Sequence, residues 1–415
     1  MPAFPVRTRV AARLGRATAG LSRRLGRGDG TVIGGRVSLL VDPRSLERLG
    51  QGRWIALVSG TNGKTTTTRL LTAALATRGP VVTNPQGSNL PPGLVAGLGS
   101  AVTPDGSPAA LEVDEGWLPK AMTALAPAVV CLLNLSRDQL DRVAEVRHIA
   151  DRWRAAVTGS PSTTVVANAD DPLVVWAAAT AALPVWVAAG QPWREDATGC
   201  PSCGGQIVFD GPVWACASCG FRRPEPAVSV GPGGLVTAEG TFAFSLLLPG
   251  RANQANAAMA ATAAGLAGVD PATALGAMAT MTDVDGRYRR VAVGGVEARL
   301  LLAKNPAGWL EVFDMLAPAP NPVVVVINAR IADGRDPSWL WDVPFERLVG
   351  RPVVAAGERA RDLAVRMRYA GLDVRRIEDP LAGVAALSPG PVDVAANYTA
   401  LRQLDVRLRS RSGCG

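Results

Sequence analysis

Ser59-Gly60-Thr61-Asn62-Gly63-Lys64-Thr65-Thr66-Thr67-Thr68 follows a short apolar run, Trp54 to Val58, and opens a stretch of helical periodicity from Lys64 to Leu75. The apolar run reads as a buried strand, so the glycine-containing segment sits where a strand ends and a helix begins. Glycine lets the backbone turn tightly and aim successive N–H groups at phosphate oxygens. The helix N-terminus adds partial positive charge at the same place. Lys64 can neutralise outer phosphates and Thr65 can ligate Mg²⁺. The loop Gly60, Thr61, Asn62, Gly63, Lys64, Thr65, Thr66 is therefore expected to hold the phosphates of ATP. Its spacing departs from the common G-x-x-x-x-G-K-[ST] form, because Val58 stands where the first glycine would be.

Outward from the loop, further apolar runs alternate with helical patterns. Val81 and Val82, Leu111 to Val113, Val129 to Leu133 and Thr163 to Ala167 read as strands, and 137–157 and 171–182 as helices. Such alternation predicts an α/β fold with a parallel sheet covered by helices. Residues 31–50 read as short strand-like and helical pieces, 227–248 as short strands, and 251–282 as Ala-rich helices. Near Val291 a second pattern begins, with buried strands at Val323 to Ile327 and Val353 to Ala356 and a helix from Glu358 to Ala370. At 415 residues the chain exceeds one core. The expected division is a basic segment 1–34, a central P-loop domain 35–290 with an insertion at 196–224, and a smaller C-terminal α/β domain 291–415.

Hydrophobic residues make up 48% and charged residues 19%, which suits a globular chain with a large core. No apolar run reaches the length of a membrane span, and no secretory pattern opens the chain, so a cytoplasmic location is expected. Lys and Arg number 43 against 35 Asp and Glu. Part of the excess is Arg7, Arg9, Arg13, Arg16, Arg23, Arg24 and Arg27, interleaved with Val10, Leu14, Leu21 and Leu25. This segment reads either as a solvated, frayed surface helix or as an arm touching anionic lipid headgroups or nucleic acid, which would set the chain at the inner face of the membrane.

Cys200, Cys203, Cys216 and Cys219 form two C-x-x-C knuckles twelve residues apart, each followed by glycine, Gly204 and Gly220. Four thiolates at this spacing suit tetrahedral Zn²⁺ in a closed, structural Cys₄ ribbon. Only Arg222 and Arg223 are basic here, and Phe209, Trp214 and Phe221 are too scattered for a stacking platform, so no nucleic acid is expected. Cys131, in an apolar strand, reads as a buried hydrophobe. The single histidine, His148, reads as a surface helix residue. No cysteine lies in a nucleophile-elbow context, so the chain is not expected to hydrolyse glutamine by itself.

The loop Gly60 to Thr66 resembles that of the Mur ligases, and other segments follow in the family's order. Leu111-Glu112-Val113-Asp114 resembles the strand whose Glu holds Mg²⁺. Asn134 to Arg142 resembles N-x-x-x-D-H-x-D-R, with Gln139 in place of the histidine. Asn168-Ala169-Asp170-Asp171-Pro172 resembles N-x-D-D-P. Leu248 to Asn256 resembles L-P-G-x-H-N-x-x-N, with Ala252 in place of the histidine, and the resemblance makes Asn253 an adenine contact. Gly286-Arg287 resembles the arginine turn that reaches the nucleotide. The resemblance implies ATP-dependent ligation through an acyl phosphate, with Mg²⁺ on Thr65 and Glu112.

The segment Asp333-Gly334-Arg335-Asp336-Pro337-Ser338-Trp339-Leu340-Trp341-Asp342, with the Cys₄ insertion, resembles the MurT family within this group. Lys304-Asn305-Pro306 and Asn397 to Leu401 fit it too. That resemblance implies the synthetase subunit of lipid II isoglutaminyl synthase. It would amidate the α-carboxyl of D-glutamate in the lipid II stem peptide, with ammonia from a GatD-type glutamine amidotransferase subunit in a heterodimer. Lys64, Glu112 and Asp336 are the implied catalytic residues. Asp336, matched to the segment's most embedded Asp, would complete the partner's Cys–His site, with Asp333 and Asp342 as alternatives. Two other readings compete: an amino-acid ligase of the folylpolyglutamate synthase kind, and a zinc-ribbon ATPase that binds nucleic acid.

Overall fold

A computed structural model describes residues 4–412 except 27–29, 85–87, 101–105, 138–145, 189, 192, 283–287, 294–295 and 388–389, with backbone only over 409–412. The chain forms two compact units. The first holds Met1–Leu135, Glu145–Leu247 and Ala252–Met281; the second holds Ser136–Ala144, Leu248–Arg251 and Thr282–Gly415.

The first unit opens with helices α1 (Val6–Arg24), α2 (Thr31–Val41) and α3 (Ser45–Gly50). Residues 31–50, read as partly strand-like, are thus helical. Their small residues Gly34, Gly35 and Ser38 are buried and allow close helix packing that a strand could not use. Strand β1 (Ile55–Ser59) and helix α4 (Lys64–Ala76) follow, then β2 (Val82–Thr83), α5 (Pro91–Ser100), β3 (Ala109–Glu112), α6 (Leu118–Leu125) and β4 (Val129–Leu132). Next come α7 (Val146–Thr158), β5 (Thr164–Asn168), α8 (Pro172–Ala178) and β6 (Leu183–Ala188). Beyond these lie β7 (Ile207–Asp210), β8 (Val213–Cys216), β9 (Val228–Gly231), β10 (Gly234–Thr237), β11 (Gly240–Phe242), α9 (Arg251–Gly265) and α10 (Pro271–Ala279).

Nine strands make one sheet in the order β11-β10-β9-β6-β5-β4-β1-β3-β2. It is parallel from β9 to β2, and β9, β10 and β11 form an antiparallel edge. Every residue of β1, β3 and β4 is buried, as expected of strands covered on both faces. Alternate residues divide between two cores. Leu57, Leu111 and Val130 meet Leu98, Met122, Trp153 and Leu173 on one face. Val58, Ala110 and Cys131 meet Leu70, Leu71, Ala257, Ala260 and Leu275 on the other. Successive strands β2 and β3 run to one side of β1 and β4 to the other. A crevice therefore opens at the carboxyl ends of β1 and β4, the place where such sheets receive ligands.

The second unit contains β12 (Tyr288–Val293), β13 (Val296–Leu302), α11 (Pro306–Met315), β14 (Val323–Val326), β15 (Val353–Ala356), α12 (Ala360–Tyr369), β16 (Val374–Arg376), α13 (Pro380–Ala385), β17 (Val392–Ala396) and α14 (Tyr398–Ser412). Its sheet runs β12-β13-β17-β14-β15-β16, parallel apart from the β12/β13 hairpin. Leu381, Val384, Leu401 and Leu404 cover one face. Trp309, Phe313 and Phe345 form an aromatic cluster with centroids 5.8–6.0 Å apart.

Candidate functional site

The loop between β1 and α4 lies in the crevice beside β4. Its backbone is anchored by Asn134, two residues past β4: Thr61 N–H donates to the Asn134 carbonyl at 2.9 Å, and Asn62 N–H to its side-chain oxygen at 2.9 Å. Asn134 Nδ2 returns a bond to the Asn62 carbonyl at 3.2 Å. Gly63 has φ +82°, and a Cβ there would stand 2.4 Å from Asn256 Oδ1 on α9. Both the left-handed backbone and the close helix require glycine. Asn256 Oδ1 also accepts from Thr67 Oγ1 at 3.1 Å, which ties α9 to the start of α4. Asn253, the expected adenine contact, is buried one turn earlier on α9.

Lys64 folds back over the loop. Its Nζ donates to the carbonyls of Gly60 and Thr61 and to Glu115 Oε2 at 3.0 Å. Thr65 Oγ1 donates to Glu112 Oε2 at 2.8 Å, while Asn89 Nδ2 donates to Glu112 Oε1 at 3.2 Å. Asn84 clamps the Glu112 backbone with a donor and an acceptor, at 2.9 and 2.8 Å. The expected residues Gly60 to Thr66 and Glu112 thus come together at one crevice. A hydroxyl and a buried carboxylate in direct contact are hard oxygen donors, so they fit Mg²⁺. Glu115, Asn84 and Asn89 were not singled out in the sequence. For Glu115 a signal existed, since it lies three residues past Glu112 where β3 ends.

Arg287 and Gln139 lie outside the described residues. The N-x-D-D-P segment is structural: Asp171 caps α8 at Leu173 N and Val174 N and also accepts from Leu135 N at 2.8 Å. Burial pushes its carboxyl up to about 6, although those N–H groups pull the other way. Asp170 accepts from Gly190 N and from Arg223 Nε, both at 2.7 Å.

Arg223 belongs to the cysteine module, as does Trp214, whose Nε1 donates to the Ala169 carbonyl at 3.1 Å. In that module the sulfurs of Cys200, Cys203, Cys216 and Cys219 all lie within 4.8 Å of one another. Cys200–Cys219 and Cys203–Cys216 are 3.8 and 3.5 Å apart. A tetrahedron with Zn–S bonds of about 2.3 Å has edges of about 3.8 Å, so the cluster fits zinc. Ser202, Gly205 and Ser218 N–H groups point at Cys200, Cys203 and Cys216 at 3.3–3.4 Å. The Ser218 N–H pulls the Cys216 thiol down, while desolvation holds Cys200 up and, against the Gly205 N–H, the neighbouring thiols hold Cys203 up, as expected of four sulfurs crowded together. Cys131 lies fully buried in β4, where burial pushes its thiol up to about 12, and His148 is exposed on α7.

In the second unit the segment after β14 separates its acids by role. Asp333, not Asp336, is the embedded one. It accepts from Thr399 N at 2.8 Å, from Thr399 Oγ1 and from Arg330 N, and so fastens the start of α14. Asp336 is exposed, and its Oδ1 accepts from Ser338 N at 2.9 Å to begin one 3₁₀ turn, Ser338–Asp342. Asp342, also exposed, lies 3.7 Å from Arg137. Trp339 and Leu340 anchor this turn in the core, while Trp341 is 55% exposed and packs edge-on to exposed Tyr369 at 5.5 Å. A cavity of about 840 Å³ lies at the carboxyl ends of β14 and β15, with Asn328, Arg330, Glu358 and Gln403 in its wall. Asn328 is held by Asn397, which donates to its carbonyl at 2.6 Å. Asn305 caps α11 at Gly308 N, 2.8 Å away, and Lys304 lies over the Tyr398 ring.

Comparisons with known proteins agree with this architecture. The Mur ligase middle domain family matches residues 58–189, and the MurT ligase C-terminal family matches residues 302–401. The lipid II isoglutaminyl synthase (glutamine-hydrolyzing) subunit MurT of Streptococcus pneumoniae is 29% identical over 432 residues, covering 96% of each chain. Its counterpart in Staphylococcus aureus is 28% identical over 371 residues, covering 83% of this chain and 84% of the relative. A pseudomurein peptide ligase type C from Methanothermus fervidus shares the fold with TM-score 0.65 and 19% identity, over 83% of this chain and 76% of the other. Mycobacterium tuberculosis folylpolyglutamate synthase shares it with TM-score 0.60 and 16% identity, over 90% and 94%. The chain thus carries a Mur ligase middle domain and a MurT ligase C-terminal domain, and its likeness to MurT subunits of lipid II isoglutaminyl synthase runs over nearly its whole length.

Proposed function

We propose that this chain is the ligase subunit of a two-chain amidotransferase that converts the D-glutamate α-carboxyl of the lipid II stem peptide to the amide. ATP transfers its γ-phosphoryl group to a carboxylate oxygen and ADP leaves. The nitrogen of ammonia then attacks the acyl carbon, phosphate departs, and the amide of D-isoglutamine results. The observation that carries this reading is the crevice at β1, in a chain whose likeness to MurT subunits spans 96% of its length. There the loop from Gly60 to Thr66 brings Lys64 and the Thr65–Glu112 pair together.

In this reading the loop from Gly60 to Thr66 holds the phosphates, and Lys64 offsets charge on the transferring phosphoryl group. Thr65 and Glu112 would hold Mg²⁺, which supplies Lewis-acid polarisation of phosphate oxygens when bound. Asn253 and Arg287 are assigned to the nucleotide. Cys200, Cys203, Cys216 and Cys219 hold a structural zinc that supports the loop after β5 through Trp214 and Arg223.

Ammonia comes from a glutaminase partner of the GatD type. Among the described residues Cys131 is buried and the other cysteines share one cluster, which supports a nucleophile on a second chain. Asp336 reaches that partner's active site. Its exposure supports this, and so does the neighbouring exposed Trp341–Tyr369 pair, since such aromatics anchor interfaces. A lipid-linked acceptor places the chain at the inner face of the membrane. Addition of an amino acid in the folylpolyglutamate synthase manner has only a shared fold in its favour.

The test is co-purification with the partner and assay on lipid II. Amidation should need ATP and glutamine in the complex, and an ammonium salt should replace glutamine for this chain alone. Incorporation of a free amino acid instead of ammonia would sink the proposal.

A further inference from the structure

We propose that α1 and α2 form a face that docks on an anionic lipid bilayer. The two helices pack antiparallel through small residues. A Cβ on Gly15 would lie 2.7 Å from the Gly34 carbonyl oxygen, and one on Gly34 would lie 2.5 Å from that of Gly15. Ser38 Oγ bonds the Ala11 carbonyl at 3.1 Å, and Thr8 Oγ1 bonds Asp42 at 2.7 Å. The buried side of α1 is therefore Thr8, Ala11, Ala12 and Gly15, and that of α2 is Thr31, Gly34, Gly35 and Ser38.

This inverts the usual amphipathic arrangement, in which large apolar residues face the core. Here the large ones face out. On α1, Val6, Val10, Leu14 and Leu21 recur at helical spacing along one exposed stripe, with Leu21 at 58%. On α2, Ile33 and Leu40 are exposed, Leu40 at 81%. Single exposed aliphatics need no explanation, but a continuous stripe on two packed helices marks an interaction surface.

Charge selects the occupant. From Val6 to Val41 the chain has eight arginines and one acid, Asp29. Arg9, Arg13, Arg16, Arg24 and Arg36 are exposed on the same two helices as the apolar stripe. Aliphatic side chains that enter the acyl boundary, flanked by arginines at headgroup level, fit an anionic bilayer surface. No helix among the described residues is long and apolar enough to cross a membrane, so the contact is interfacial. This inference goes beyond the amidation reading and does not depend on it.

The experiment is flotation of the full chain with equimolar phosphatidylglycerol–phosphatidylcholine vesicles that contain no lipid-linked peptide, against pure phosphatidylcholine. The chain should float with the anionic vesicles, weakly with the neutral ones, and high salt should release it. Leu14→Gln/Leu21→Gln/Leu40→Gln and Arg13→Gln/Arg16→Gln/Arg36→Gln should each weaken binding by about tenfold or more. Both variants should keep the wild-type thermal midpoint and amidate a detergent-dispersed acceptor normally. Equal flotation with neutral vesicles, or wild-type binding by either variant, would overturn the proposal. So would a self-association of the wild-type chain that the leucine variant abolishes, since a second copy would then cover the face.

Discussion

Lys64 Nζ stands 3.0 Å from Glu115 Oε2, and the two side chains are 9% and 13% exposed. The lysine assigned to phosphate is thus held over the loop by a carboxylate at the end of β3. Lys64→Met should lower ATP-dependent amidation by about 10²–10³-fold, the usual scale for loss of one charge-stabilising group. It should also destabilise the first unit, because the mostly buried Glu115 loses the ammonium 3.0 Å away. Adding Glu115→Gln should restore the denaturant midpoint but not the activity. Activity recovered in the double variant would remove Lys64 from the chemistry.

Gly63 is constrained by its left-handed backbone and by Asn256. Gly63→Ala should cost about 1–2 kcal/mol from the backbone alone, with more from the clash. Nucleotide affinity should fall as α9 is pushed from α4. Equilibrium unfolding and ATP titration, with Asn256→Ala as a partial rescue of the clash, separate the two contributions.

The cysteine module packs Trp214 and Cys200 against Val175 of α8. Without a metal to hold four thiols together, this small core should open. Chelation should lower the thermal midpoint and release about one zinc per chain. Trp214 fluorescence should report the loss of its buried site. An unchanged midpoint after complete zinc removal would refute a structural ion.

Asp333 and Asp336 lie three residues apart and should behave differently. Asp333→Asn should destabilise the second unit by about 2 kcal/mol, because it holds Thr399 at the start of α14. Asp336→Asn should leave stability within about 0.5 kcal/mol and abolish glutamine-driven amidation while sparing ammonia-driven turnover. If glutamine-driven turnover survives, the partner's site is completed elsewhere, and exposed Asp342 is the next variant to make.

Asp42 ties α1 to the body of the first unit. Burial would raise its carboxyl, but the Thr8 hydroxyl, Arg48 and the Arg44 N–H outweigh it and hold the group below 3.8. A folded-state value below the unfolded one contributes stability above the ordinary carboxylate range. That contribution is lost as pH falls below 3.8 through the lower folded value. Asp42→Asn should cost about 2 kcal/mol at neutral pH and flatten the stability loss on acidification. Hydrogen exchange in α1 is the readout, and a variant with unaltered acid response would exclude Asp42 as its source.

By itself the sequence determined the glycine-containing turn between β1 and α4, the four-cysteine cluster, the alternation of strands and helices, and the second α/β unit. These rest on local signals: a glycine and lysine spacing, a knuckle spacing, a hydrophobic period. What only the tertiary structure decided depends on which distant segments meet. Glu115 reaches Lys64 across 51 positions, Thr67 meets Asn256 across 189, and Asp333 meets Thr399 across 66. No local pattern encodes such pairs, because strand order and crossover set them. The N-terminal helices show the same limit in reverse. Leu14 and Leu21 were visible as apolar positions among arginines, but whether they face the core or the solvent was settled by Gly15 and Gly34. Their lack of side chains lets the two backbones meet and turns the leucines outward.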